Sequence, residues 1–150
     1  MQWKIKPFDA LSCREVYELL KLRSKIFVVE QKCLFLDMDD FDYQSYHLLG
    51  MEQDRLVAYV RIAPPGVIYE EGSIGRVVAD ASARTKGIGR IMMKKALDHY
   101  DEMFPGQPNK IMAQYYLILF YESLGYVKKG NPYWEDQILH IDMLRNSTKY

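Results

Sequence analysis

The chain has 150 residues, 49% of them apolar, with 20 basic and 20 acidic side chains. That length suits one compact unit with a real core, and the balanced charge argues against a general nucleic-acid binder, which carries a basic excess. No run approaches the roughly 18 apolar residues of a membrane span. The opening Met1-Gln2-Trp3-Lys4-Ile5-Lys6 alternates polar and apolar residues and has no apolar signal region. Cys13 and Cys33 are the only cysteines, too few for a disulfide framework or an all-thiol zinc site. The expectation is a reduced, cytoplasmic protein forming a single domain over residues 1–150.

A strand is predicted at Trp3 to Pro7. Ser12 and Glu15 then have capping-box spacing. Val16, Leu19, Leu20, Ile26 and Phe27 recur at helical spacing, so a helix starts at Ser12 and continues or kinks through Val29. Asp37 to Tyr43 reads as an acidic, aromatic loop. His47 to Met51 and Leu56 to Ile62 form a hairpin joined by Glu52-Gln53-Asp54-Arg55, and Pro64, Pro65 and Gly66 end it. Ser73 to Ala79 is the next strand. Gly87 to Phe104 is the clearest helix. Met92, Met93, Ala96, Leu97, Tyr100, Met103 and Phe104 fall in one arc of its wheel, with Arg90, Lys94, Lys95, Asp98, Asp101 and Glu102 opposite. A strand near Lys110 to Gln114 follows, then a helix from about Leu117 to Leu124 ended by Gly125, and strands near Tyr126 to Lys129 and Ile138 to Leu144. The order β-α-β-β-β-α-β-α-β-β is that of an α/β (α+β) protein, a mixed sheet with helices on its faces.

Chemistry concentrates where the strand ending at Ala79 leads, through five residues, into Arg84-Thr85-Lys86-Gly87-Ile88-Gly89 and a helix. The first N–H groups of a helix have no internal partner, and the helix dipole adds positive charge there. Glycines let a phosphate approach the backbone, and Arg84, Lys86 and Arg90 add full charges. Two phosphate-loop patterns fail on spacing. Gly89 is followed by Arg90-Ile91 where a Walker loop needs Lys and Ser or Thr, and Met92 stands where a dinucleotide fingerprint needs Gly or Ala. Taken alone, the six residues fit an ordinary glycine-containing loop equally well. His47, His99 and His140 lack the i, i+4 spacing of a helical zinc site, and no metal is expected.

Arg84-x-x-Gly87-x-Gly89 after a strand resembles the acetyl-CoA signature of the GNAT superfamily of N-acetyltransferases, and Phe120-Tyr121-Glu122-Ser123-Leu124-Gly125-Tyr126 resembles its second signature. A narrower similarity to the ElaA-like subfamily rests on Phe27-Val28-Val29-Glu30-Gln31-x-Cys33, Asp37-x-Asp39, His47-Leu48-Leu49-Gly50, Ala58-Tyr59-x-Arg61-Ile62, Ile74-Gly75-Arg76-Val77 and His140-Ile141-x-Met143. The resemblance implies a GNAT fold: a mixed central sheet of about six to seven strands, splayed between the fourth and fifth, with about four helices on its faces. It also implies acetyl-CoA as co-substrate and transfer of the acetyl group to a primary amine through a ternary complex. The cofactor's pantetheine arm would lie along Val77, Val78 and Ala79. Its pyrophosphate would lie over Arg84, Thr85, Lys86, Gly87, Ile88 and Gly89, with Arg90 and Phe120 beside it.

By the same resemblance Tyr121 is the general acid for the leaving thiolate; a phenol titrates near 10, close to a thiol. The general base stays open. Ser73 stands where several relatives carry a glutamate; Glu70 and Glu71 are near in sequence, though strand direction can point them elsewhere, and His140, His47 or a water chain are the other candidates. Leu119 replaces an asparagine that often contacts the cofactor arm, and Gln137 and Leu139 stand where the subfamily tends to have Gly and Pro. On the acceptor side Glu30, Asp37, Asp39, Asp40 and Asp42 form an acidic segment suited to a cationic amine, and equally to a solvated loop. Glu30, Asp37 and Tyr59 are the substrate-binding candidates. Other tyrosines suit a pocket lining or a homodimer contact. The rival from another class is a non-catalytic acyl-CoA-binding regulatory module of the same fold.

Overall fold

The computed structural model describes residues 1–147, apart from the side chains of Thr85 and Lys86. Strand β1 (Gln2–Pro7) leads to α1 (Cys13–Arg23), whose start is closed as its spacing requires. Ser12 Oγ accepts from Glu15 N at 3.1 Å, and Glu15 Oε1 accepts from Ser12 N at 2.9 Å. The expected kink is a π-helical stretch, Ser24–Glu30, that widens the helix as it reaches the sheet.

Strands β2 (Tyr46–Glu52) and β3 (Arg55–Ala63) form the expected hairpin. Its turn is tighter than the sequence suggests: Glu52 pairs with Arg55, and only Gln53 and Asp54 connect them, at φ 51° and 63°. Strand β4 (Ser73–Ala79) completes an antiparallel sheet of order β1-β2-β3-β4. After α2 (Ile88–Met103), β5 (Asn109–Gln114), α3 (Ile118–Glu122), β6 (Val127–Glu135) and β7 (Ile138–Arg145) follow, and the second sheet has the order β5-β7-β6.

The two sheets meet at one place. Gly72 and Asn109 form a parallel bridge, and Lys110 N donates to Gly72 O at 2.8 Å. Beyond it β4 and β5 part, which is the splay the resemblance implies. The junction is held from below: Tyr100 of α2 donates to Pro108 O at 2.7 Å, and Tyr126 donates to Asn109 Oδ1. Helix α2 packs Met92, Met93, Ala96 and Leu97 against Val60, Ile62, Ile74 and Ile111. Helix α1 covers the other face with Leu19 and Leu22 on Leu49, Tyr59 and Val78.

Three details depart from expectation. Asp101, placed by the wheel with the exposed charges, is buried and takes both Nη atoms of Arg145 at 3.0 Å; its partner comes from the far end of the chain. Strand β6 runs on to Glu135, with a register shift between Lys129 and Tyr133 where Gly130, at φ 72°, admits a bulge. The helix expected from Leu117 to Leu124 splits into a 3-10 turn at Tyr115–Leu117 and the short α3.

Candidate active site

Parting β4 from β5 opens a cavity of about 250 Å³ lined by both strands, the loop after the π-helical stretch, α3 and the β6–β7 turn. A groove of about 450 Å³ continues from it over Val77, Val78 and Ala79 to Arg84, Ile88 and Gly89; Gln31 and Val77 belong to both walls. Strand β4 bulges between them. Tyr59 pairs with Val78 but Arg61 pairs with Gly75, so Arg76 and Val77 stand against the single residue Val60. Arg76 adopts φ 51°, the left-handed conformation of such a bulge. The ladder to β3 is interrupted there.

The head of α2 has the features of an anion site. Gly87 caps it at φ 66°, a conformation glycine takes without strain. A methyl on Gly89 would meet only Phe120 Cζ, at 3.9 Å. The first amides of this 16-residue helix have no partner within it. Arg84 Nε donates to Ala79 O at 2.9 Å, which pins its guanidinium at the end of β4. Arg90 lies over the Phe120 ring at 5.5 Å and donates to Ser123 Oγ at 3.0 Å. These groups fit a pyrophosphate in charge and in access. The side chains of Thr85 and Lys86 lie outside the described residues.

The two histidines differ. His47 is fully buried and both nitrogens are engaged: Nε2 donates to Asp42 O at 2.9 Å, and Nδ1 accepts from Tyr59 Oη at 2.7 Å. Burial holds its pKa below the ordinary value. In that environment it has no lone pair to offer a substrate. His140 lines the cavity at 7% exposure. Its Nδ1 lies 2.8 Å from Ile138 O, an acceptor only, so Nδ1 carries the proton and the neutral ring keeps its lone pair on Nε2. Nε2 has no partner among the described residues. Tyr121 lines the same cavity, edge-on to Phe120 and Tyr126. Burial, with Tyr116 adding to it, pushes its phenol up to about 12. Ser73 is buried at the start of β4, and neither Glu70 nor Glu71 lines the cavity.

Asp37, Asp39 and Asp42 of the acidic segment are neutralised from within, while Asp40 is exposed. Asp37 accepts from Arg23 Nε and Arg76 Nε, both at 2.8 Å. Asp42 accepts from Arg23 Nη1 at 2.7 Å and Arg61 Nη1 at 3.1 Å. Asp39 takes both Nη atoms of Arg61, at 2.7 and 2.9 Å. Burial works against the Asp39 and Asp42 carboxylates, but the guanidinium partners outweigh it and hold both below the usual range. Removing one partner of such a buried pair leaves an uncompensated charge, at a cost of about 3–5 kcal/mol. The network fixes the loop over the cavity and has no net charge to offer an amine. Of the three substrate-binding candidates, Asp37 is spent on arginines, Tyr59 is fully buried beneath Arg23, and Glu30 lies in the groove against Arg84. None of the three lines the cavity.

The sequence model of the family described as "Acetyltransferase (GNAT) domain" matches residues 26–146. The chain belongs to the GNAT acetyltransferase family. Protein ElaA of Escherichia coli is 37% identical over 97% of this chain and 96% of its own. Its crystal structure superposes with a TM-score of 0.89, covering 97% of this chain and 99% of the other at 36% identity. A UPF0039 protein of Synechocystis is 39% identical over 96% of this chain and 94% of its own. The crystal structure of an acyl-CoA N-acyltransferase from Pseudomonas aeruginosa has a TM-score of 0.92 at 35% identity, covering 97% of this chain and 99% of that one.

In this GNAT protein the structure gathers Tyr121, His140 and Val77 around one cavity, and Val78, Ala79, Arg84, Ile88 and Gly89 around the groove that continues it. Sequence reasoning missed Gln31, Phe35, Arg76, Gln114, Glu135 and Asp136 in the cavity wall. It also missed the arginine partners of the acidic loop, although signals existed. Arg61 interrupts an otherwise apolar strand from Leu56 to Ala63, and Arg23 falls on the apolar arc of α1; each must find a carboxylate to be buried. Cys33 is half-buried in the cavity wall. Burial and the charge of Asp136 raise its thiol pKa, the opposite of an activated nucleophile. No described helix is long and apolar enough to cross a membrane.

Proposed function

We propose that the chain is an acetyl-CoA-dependent N-acetyltransferase that acetylates a primary amine of a small molecule or peptide by direct transfer in a ternary complex. The observation that carries this is the meeting, in one cavity, of a histidine with a free Nε2 and a half-buried tyrosine, continuous with the groove that ends at the head of α2. The 35% identity to a protein described as an acyl-CoA N-acyltransferase supports the donor class. Free Cys13 and Cys33 suit a reducing cytoplasm.

Arg84, Arg90 and the amides of α2 hold the pyrophosphate; the free edge of β4 at Val77 to Ala79 meets the amide-bearing arm; the bound molecule supplies an acetyl thioester. In the transfer a nitrogen–carbon bond forms and the carbon–sulfur bond breaks. The ammonium loses one proton before attack and a second as the amide forms; the thiolate gains one. His140 Nε2 takes protons from the amine and passes them to solvent. The oxyanion meets a β4 amide freed by the bulge. Tyr121 has a narrower task than its ordinary pKa implies. With its phenol near 12, full proton transfer to a thiolate whose thiol titrates near 8.5 would be uphill by roughly 5 kcal/mol. It therefore donates a hydrogen bond to the developing thiolate, and solvent completes the protonation.

Thiol release from acetyl-CoA with a panel of primary amines tests this. Tyr121→Phe and His140→Gln should each lower kcat about 10- to 1000-fold while the Kd for coenzyme A changes little. Coenzyme A binding with no release above the buffer rate for any amine would support the regulatory module instead, a reading that Ser73 at the usual carboxylate position favours.

A further inference from the structure

We infer that the acceptor is a cationic amine with an apolar body, and that Glu135 and Asp136 at the β6–β7 turn steer its charge to His140; this rests on the acetyltransferase reading above. The cavity is lined by three charged residues, Arg76, Glu135 and Asp136. Arg76 is spent on Asp37 and Asp39. Neither Glu135 nor Asp136 has an ion-pair partner among the described residues, so the cavity mouth keeps a net negative charge. That charge sits on a different element from the acidic segment that the sequence singles out.

Register fixes where it acts. Glu135 pairs with Ile138, and Tyr133 pairs with His140. Glu135 and Tyr133 therefore point to one face of the hairpin, together with Ile138 and His140. The carboxylate lies about two residues, or roughly 7 Å, along the strands from the imidazole. His140 is independently marked as facing a ligand, being 7% exposed and lining the cavity with an unpartnered Nε2. An ammonium drawn to the turn is thus delivered to the nitrogen that takes its proton, and the imidazolium then formed has carboxylates beside it. Much of the remaining wall is apolar or aromatic, with Phe27, Phe35, Met112, Tyr116, Leu117 and Ile138, and Gln31 and Gln114 are its uncharged polar side chains. That apolar part gives the body of an arylalkyl amine a surface on which to be buried.

The probes are phenethylamine, a cation at neutral pH, and O-benzylhydroxylamine, of nearly the same shape with an uncharged amine. In the Glu135→Gln/Asp136→Asn double variant, the ratio of KM for the cation to KM for the neutral probe should rise about fivefold, and the rise should shrink at high salt. An unchanged ratio, with both probes turned over, overturns this inference and leaves the acetyltransferase reading intact. If neither probe is acetylated by the wild-type protein, calorimetry of phenethylamine with the coenzyme A-loaded protein decides. Binding that weakens about fivefold in the double variant upholds the steering role without catalysis; absent or unchanged binding overturns it.

Discussion

Glu30 and Arg84 face each other across the groove at the head of α2, with Oε1 2.7 Å from Nη2. Both side chains line that groove, where the proposed pyrophosphate would lie. Glu30 therefore acts as a stand-in anion, keeping Arg84 extended while competing with the ligand for it. Both side chains are partly solvated, so the pair is worth at most about 1 kcal/mol. Glu30→Gln should bind coenzyme A about two- to fivefold more tightly in calorimetry. Weaker binding would make Glu30 a support of the anion site.

The buried polar network should give the fold a two-stage response to acid. Burial lowers the pKa of His47, and of His99, below the ordinary 6.5. A group with a depressed pKa contributes stability that is fully present above its unfolded value and is lost as the pH falls from there through its folded value. Stability should thus decline below about pH 6.5 by at most about 1.4 kcal/mol per unit for each histidine. Asp39 and Asp42 carry lowered values as well; their share is complete above about pH 4 and goes at lower pH. Denaturant titrations from pH 8 to 3 would follow both stages. His47→Gln should flatten the first without moving the second.

The junction of the two sheets can be probed with two glycines on one segment. A methyl on Gly72 would land on the ring and hydroxyl of Tyr100, while one on Gly75 meets nothing within 4 Å. Gly72→Ala should cost about 2 kcal/mol, lowering Tm by roughly 4–8 °C. Gly75→Ala should be neutral or slightly stabilising. Equal effects in thermal unfolding would show that the Tyr100 contact does not hold the junction.

What the sequence discloses and what it hides divide along physical lines. Local patterns were legible: the Ser12–Glu15 capping box, the periodicity of α2, the Ser73–Ala79 strand and the glycine turn before α2 all fold as their spacing requires. Chain-long motif order disclosed the splay; that Tyr121 and His140 line one cavity comes from the structure. Charge partners were not legible, because an ion pair such as Asp101–Arg145, 44 positions apart in the chain, leaves no local trace. The same blindness assigned Asp37 to the acceptor when its carboxylate belongs to Arg23 and Arg76. Gln137 is instructive in the other direction. It holds φ 64° in the β6–β7 turn, a conformation in which glycine is favoured, so a residue with a side chain sits there under strain.

Parting β4 from β5 also has a consequence for how the molecule meets others of its kind. A strand edge that faces outward invites a neighbouring chain to add itself to the sheet. Here two bare edges look at each other inside a wedge closed at Gly72 and Asn109, where no second protein molecule fits. The fold thus holds these backbone groups inside a narrow cleft without presenting them as a seam for aggregation. What enters is chosen first by its width, and only then by its chemistry.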